Sequence, residues 1–137
     1  MSRTAPRVSV IVRSMDRPVL ARALDCAAAQ TWPELEIIVV AACGPAHRDL
    51  PETWQGRPLR FVRSAARLPR AEAANAGLDA ATGDWINLLD DDDEWTADHV
   101  DHLVSFAAQG PERLVYATAE IRRQHTEHAV FLALRGP

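Results

Sequence analysis

Apolar positions along the chain alternate between short continuous runs and helical periods, separated by polar segments rich in Pro and Gly. Val8-Ser9-Val10-Ile11-Val12 is a β-branched run between Pro6 and Arg13-Ser14, the pattern of a strand covered on both faces. Beyond Asp16-Arg17-Pro18, residues Leu20, Ala23, Leu24, Ala27 and Ala28 recur at helical spacing. That spacing predicts a helix to about Gln30, with Asp16 as its cap and Pro18 in its first turn. Glu36-Ile37-Ile38-Val39-Val40 repeats the buried-strand pattern. Residues 44–58 hold Pro45, Pro51, Gly56 and Pro58 without a sustained period, so they read as an irregular connection with one short helix around 46–50. Residues 59–63 alternate as a third strand. Pro69 opens an Ala-rich helix over about 70–81, and Gly83 is expected to close it as a left-handed C-cap. Trp85-Ile86-Asn87-Leu88-Leu89 is a fourth strand that runs into four consecutive aspartates, Asp90 to Asp93. Thr96 is the expected cap of a helix to about Ala108, with Asp98 in its first turn. Residues 114–118 and 130–134 read as two final strands, an antiparallel pair across 122–128.

Strands alternating with helices imply right-handed crossovers and a mainly parallel sheet. The expected fold is therefore α/β, and a length of 137 residues fits one domain, 1–137, with a core that needs no disulfide. No stretch approaches the ~18–20 apolar residues of a membrane span, and the N-terminus lacks a signal-like apolar region, so no transmembrane segment and a cytoplasmic location are expected. Cys26 and Cys43 have no metal spacing and read as reduced thiols. A net charge of −4 argues against general nucleic-acid binding, but its distribution is uneven. Residues 1–89 carry eleven Arg against nine acids, and 90–137 carry four Arg against ten. All basic side chains are Arg; the guanidinium suits bidentate phosphate contacts, although a solvated surface accounts for most of them.

In open parallel sheets, ligands bind beyond the carboxyl ends of the strands, and the aspartate run occupies that edge. If strand geometry persists through it, Asp90 and Asp92 share one face while Asp91 and Asp93 share the other. Crowded carboxylates on a partly buried edge cost stability unless a cation or hydrogen bonds compensate. Mg²⁺ or Mn²⁺ does so with one or two carboxylates plus water and substrate phosphates, which makes a diphosphate the natural partner and charge neutralisation on a leaving group the natural chemistry. The competing reading is a solvated acidic turn capped by Asp93 or Thr96, against which the preceding apolar strand weighs. An EF-hand is excluded, because Trp95 and Asp101 stand where glycine and glutamate are required. His99 and His102, three apart on the predicted helix, and His125 and His128, flanking a turn, read as solvent-facing.

Four segments in order resemble the N-terminal, nucleotide-sugar-binding half of a family 2 glycosyltransferase of GT-A fold, over roughly residues 7–108. They are Val8 to Pro18; Ala29-Gln30-Thr31-Trp32-Pro33 leading to the second strand; Ala73-Ala74-Asn75-Ala76-Gly77-Leu78; and Gly83-Asp84 leading through Asp90–Asp93 to Glu94-Trp95. The resemblance implies a three-layer α/β/α, Rossmann-like domain that binds a nucleoside-diphosphate sugar donor with Mg²⁺ or Mn²⁺ and transfers the sugar to a glycan or other hydroxyl acceptor, with inversion. It implies that the loop from Ser14 through Asp16 to Arg17 borders the nucleotide. Asp90 would face the ribose or base and Asp92 would coordinate the metal. Asp91 completes the donor-binding set and, with Asp93, supports the run. Asn75 would lie near the donor pocket, or be an ordinary polar helix residue. Gly77 would let the helix approach the sheet, and Arg67 and Arg70 would meet the diphosphate or stay solvated. Two departures stand out: Ala41-Ala42-Cys43-Gly44 replaces an acidic base-reading segment, and Ala74 replaces an Arg before Asn75. By this resemblance the acceptor-binding half is expected to be absent from residues 1–137 or incomplete in them, so no general base is assigned. The alternative is a non-catalytic or truncated nucleotide-sugar-binding or assembly module, with self-association through apolar surface where an acceptor half would pack. Phosphoryl transfer is disfavoured, because no glycine-rich loop follows the first strand.

Overall fold

The computed structural model describes residues 5–111, 114–117, 119–123 and 126–132. The chain divides into two compact units, Met1–Ala97 and Asp98–Pro137. The first contains β1 (Val8–Ser14), α1 (Leu20–Ala28), β2 (Leu35–Ala41), β3 (Thr53–Trp54), β4 (Arg57–Val62), α2 (Arg70–Ala80) and β5 (Trp85–Asp90). Its sheet has the order β3-β4-β2-β1-β5, parallel except for β3 against β4. β1 and β2 are apolar because both their faces are covered: Val10, Ile11, Val12, Ile37, Ile38, Val39 and Val40 are all fully buried. On one face Ile11, Ile38, Val40 and Ala42 pack with Ala73 of α2. α1 presents the buried stripe Leu20, Ala23, Leu24, Ala27 and Ala28 and contacts β2.

Gly77 carries the contact between α2 and β1. A Cβ there would lie 2.3 Å from Cγ2 of buried Ile11, so the helix comes this close only because the side chain is absent. At the amino ends of the strands, buried Glu36 knits the same elements together. Its Oε1 accepts hydrogen bonds from Ser9 Oγ (2.6 Å), Thr82 N–H (2.8 Å) and Thr82 Oγ1 (2.8 Å). Burial pushes the Glu36 carboxyl up, but these bonds and nearby Arg7 outweigh it and hold it below the ordinary glutamate value.

Several local expectations are corrected. Asp16 does not cap α1, whose cap position is Val19 with no side-chain bond; Asp16 takes φ 57° and gives its carboxylate to Arg48. No helix forms around 46–50, since successive turns at Gly44 and His47 draw the imidazole inward. The irregular segment instead hides a hairpin. Gln55 (φ 45°) and Gly56 (φ 83°) form the two-residue turn between β3 and β4, and Arg57 fastens it to the carbonyls of Ala28, Gln30, Trp32 and Pro33. Gly83 is not a left-handed cap, because α2 ends with Ala81 extended; its role is proximity, since a Cβ would lie 2.6 Å from Ser9 Oγ.

The second unit holds α3 (His99–Ala107) and the antiparallel pair β6 (Ala119–Arg123) and β7 (Thr126–Leu132), with Ala119 opposite Leu132 and Ile121 opposite Val130, and a register shift before Arg123 meets Thr126. Asp98, not Thr96, takes the cap position of α3, without a side-chain bond. An antiparallel pair forms, but not on the residues expected: residues 122–123 and 126–128, read as the connection, belong to β6 and β7, and residues 114–117, read as the first strand, are irregular; Thr118, His125 and residues 133–134 lie outside the described residues. No helix among the described residues is long and apolar enough to cross a membrane.

Candidate functional site

The chain leaves β1 for β2 and β4 on one side and returns through α2 to β5 on the other. The connections therefore diverge between β1 and β5, where open sheets place their ligand crevices. An open cleft of about 920 Å³ lies at this point, lined by Arg13 near the end of β1 and Met15 and Arg17 after it, Ala42 after β2, residues 67–70 and Ala73 around the start of α2, and Asp90 at the end of β5 with Asp91 to Asp93 after it.

The aspartates divide by what they touch. Asp91 is buried, with its side chain 2% exposed; it accepts the Met15 N–H at 3.0 Å and the Arg17 guanidinium. It ties the loop after β5 to the loop after β1 and has little surface left for a ligand. Asp90 is paired with Arg13, its register partner on the adjacent strand. Asp92 is half exposed, with Arg17 Nη2 3.3 Å away. Strand alternation separates Asp91 from Asp90 and Asp92 but misplaces Asp93. The Asp93 N–H turns back to the Asp90 carbonyl (3.0 Å), which ends the period of two, and oxygens of Asp90, Asp92 and Asp93 all come within 4.8 Å of one another. Partial desolvation at the edge of the cleft, followed by repulsion from Asp92, Asp90 and Asp91, pushes the exposed Asp93 carboxyl up. Four carboxylates facing the two guanidiniums of Arg13 and Arg17 leave about two negative charges, which one divalent cation with oxygen ligands matches.

The other wall of the cleft has the opposite character. Arg67 and Arg70 are exposed, and neither has a carboxylate partner among the described residues. Their approach depends on Gly44 (φ 91°), where a Cβ would meet the backbone of Ala66 and Arg67 at 3.1 Å, and on the Leu68 N–H to Ala42 carbonyl bond (2.9 Å). Met15, Ala42, Leu68 and Ala73 give the cleft an apolar floor.

Ser14, Asp16 and Asn75 do not line this cleft. Ser14 is buried, its Oγ 2.6 Å from His47 Nε2, while His47 Nδ1 meets the Arg48 carbonyl at 2.7 Å and its ring lies beside Phe61. Ser14 Oγ also accepts the Asp16 N–H (3.0 Å). With Asp16 bound to Arg48, these contacts fix the loop after β1 against the loop after β2. Asn75 is exposed on α2. At the far end of the acidic loop, Cys26 exchanges contacts with the Trp95 backbone (both 3.2 Å) and Gln30 Nε2 donates to the Thr96 carbonyl (2.8 Å), which latches it to α1. Arg13, Gly44 and His47 were not singled out in the sequence; only Arg13 carried a signal, as a charge ending an apolar strand.

Residues 9–132 match the profile of Glycosyl transferase family 2. The amylovoran biosynthesis glycosyltransferase AmsB of Erwinia amylovora is 32% identical over 108 residues, covering 72% of this chain and 36% of that protein. Among solved structures, the mannosyltransferase PcManGT of Pyrobaculum calidifontis, in complex with GDP-Man and Mn²⁺, superposes with a TM-score of 0.66 at 30% identity over 76% of this chain and 33% of its own. Residues 1–349 of S. aureus TarS share the fold at a TM-score of 0.64 and 22% identity, over 75% and 32% of the two chains. The chain spans about a third of the length of the curated relatives it matches.

Proposed function

The chain belongs to glycosyl transferase family 2, with a GT-A type sheet of five mostly parallel strands, and from that premise we propose that residues 1–137 form the donor-binding part of a glycosyltransferase. The donor is a nucleoside-diphosphate sugar, bound with Mn²⁺ or Mg²⁺, and the sugar passes to an acceptor hydroxyl with inversion. The observation that carries this reading is the two-walled cleft. Three carboxylates with mutually close oxygens and two guanidiniums, Arg67 and Arg70, that have no carboxylate partner among the described residues line one crevice at the point where the strand connections diverge.

Asp92 and Asp93 are the carboxylates best placed to hold the cation, since neither is buried and Asp90 is occupied by Arg13. Bound there, a divalent cation supplies neutralisation of the charge that develops on the departing diphosphate. Arg67 and Arg70 take the remaining phosphate oxygens, for which the planar guanidinium is suited. The apolar floor of Met15, Ala42, Leu68 and Ala73 receives the base or ribose. Asp91 acts from below, fixing Arg17 and Met15. Ser14 and Asp16 act through the loop they shape, and no residue is assigned as general base.

A thermal-shift panel of nucleotide sugars, with GDP-mannose included because the Pyrobaculum neighbour binds it, tests the reading with and without Mn²⁺. The expected result is stabilisation by one or more donors that requires the metal. A panel in which no nucleotide sugar moves the transition under any metal condition would instead favour the non-catalytic module, the reading that Ala41-Ala42 supports.

A further inference from the structure

Within the carboxylate group, Asp90 is the member that already has a cation of its own. Arg13 stands opposite it in register on β1, so the two side chains leave the same face of the sheet at the same height, and the guanidinium closes on Asp90 Oδ1. Arg13 is only 20% exposed, and it lines the cleft that Arg67 and Arg70 also line. Arg17 is engaged differently. It is bound primarily to buried Asp91 and touches Asp92 at 3.3 Å as an outer contact. Asp93 has no ion pair among the described residues.

This arrangement treats two ligands unequally. A cation arriving alone has Asp92 and Asp93 but gains Asp90 as a third ligand only by displacing Arg13, and success leaves a largely buried guanidinium without a counter-charge, which is costly. A cation arriving with a diphosphate brings new acceptors, and a guanidinium bonds phosphate oxygen as readily as carboxylate oxygen. The exchange then conserves the hydrogen bonds of Arg13.

We propose that Arg13 is a positioning residue that holds Asp90 in reserve, so that the site takes a divalent cation weakly alone and strongly only together with a diphosphate, to which the guanidinium turns. This rests on the reading of the cleft as a metal–diphosphate site and adds the coupling between its two ligands and the residue that carries it. The coupling is reciprocal, so the diphosphate is also bound more tightly in the presence of the cation.

The test measures Mn²⁺ binding to the full chain by electron paramagnetic resonance of the free ion, alone and with inorganic pyrophosphate, with the solution complex of the two measured in parallel without protein. In the unaltered protein, pyrophosphate strengthens Mn²⁺ binding about tenfold beyond what the solution complex explains. Arg13→Gln, and Arg13→Met as a variant that keeps the apolar stem, bind Mn²⁺ alone about tenfold more tightly than the unaltered protein and lose most of that coupling. Adding Asp90→Asn to either variant removes the gain. Additive binding of the two ligands in the unaltered protein overturns the proposal. So does an unchanged or weakened Mn²⁺ affinity in a folded Arg13 variant, or a gain that survives Asp90→Asn. Failure of the unaltered protein to bind either probe would overturn the reading of the cleft itself, whereas additive binding of both would leave that reading standing.

Discussion

Neighbouring aspartates in one turn should respond in opposite ways to the same truncation. Asp91→Ala removes a buried carboxylate that satisfies the Met15 N–H and anchors the Arg17 guanidinium. A buried donor left without an acceptor costs about 1–3 kcal/mol. The Arg17 contact adds about 1 kcal/mol at most, because that side chain is 46% exposed and water replaces part of the pairing. The expected loss is about 1–4 kcal/mol, a fall in Tm of about 3–14 °C for a chain of this size. Asp92→Ala acts on a half-exposed carboxylate, giving up the outer contact with Arg17 while relieving repulsion on Asp93. Its stability should stay within about 0.5 kcal/mol of the unaltered protein. Urea denaturation of both variants without ligand, followed by circular dichroism, measures the split. Equal stabilities would refute the division between a supporting Asp91 and a ligand-facing Asp92.

Gly77→Ala places a methyl group 2.3 Å from Ile11 Cγ2, and overpacking of about 1–3 kcal/mol outweighs the ~1 kcal/mol that alanine adds to a helix. A melting temperature equal to or above that of the unaltered protein would contradict the close packing of α2 on β1. Because hydrogen bonds hold the Glu36 carboxyl below its unfolded value, its contribution is full above that value and is lost as pH falls through the folded one. Glu36→Gln is therefore expected to be less stable by about 1.5–3 kcal/mol near neutrality, with the gap closing towards acid pH. A gap that stays constant across a pH series of denaturation curves would remove the ionised carboxylate from this account.

The sheet was legible in the sequence wherever burial dictated composition. β1, β2 and β5 were located by their apolar runs, and α2 by its alanines and Pro69, within one or two residues. What escaped was fixed by tertiary contacts without a period. The β3–β4 hairpin depends on two left-handed residues and on Arg57 reaching four carbonyls, and nothing about Gly83 distinguished a cap from a close approach to Ser9. The site shows the same division. An aspartate run at a strand end announced a polar edge, and alternation by two set Asp91 apart, but the turn that brings Asp93 beside Asp90 and Asp92 lay beyond a strand argument. Arg13 acquires its meaning only from register, since the pairing of β1 with β5 across more than seventy residues decides which carboxylate it meets. His47 sits in a segment read as an irregular connection, and only the folded chain brings it to Ser14.

The central claim is that these carboxylates bind a nucleoside diphosphate through a divalent cation. Isothermal titration of GDP and UDP into the chain, with Mn²⁺ and then with excess chelator, repeated on Asp92→Ala, tests it most directly. Binding of at least one nucleotide is expected, lost with chelator and lost in Asp92→Ala, although that variant remains folded. Equal affinity with Mn²⁺ and with chelator, or unimpaired binding by Asp92→Ala, would contradict it.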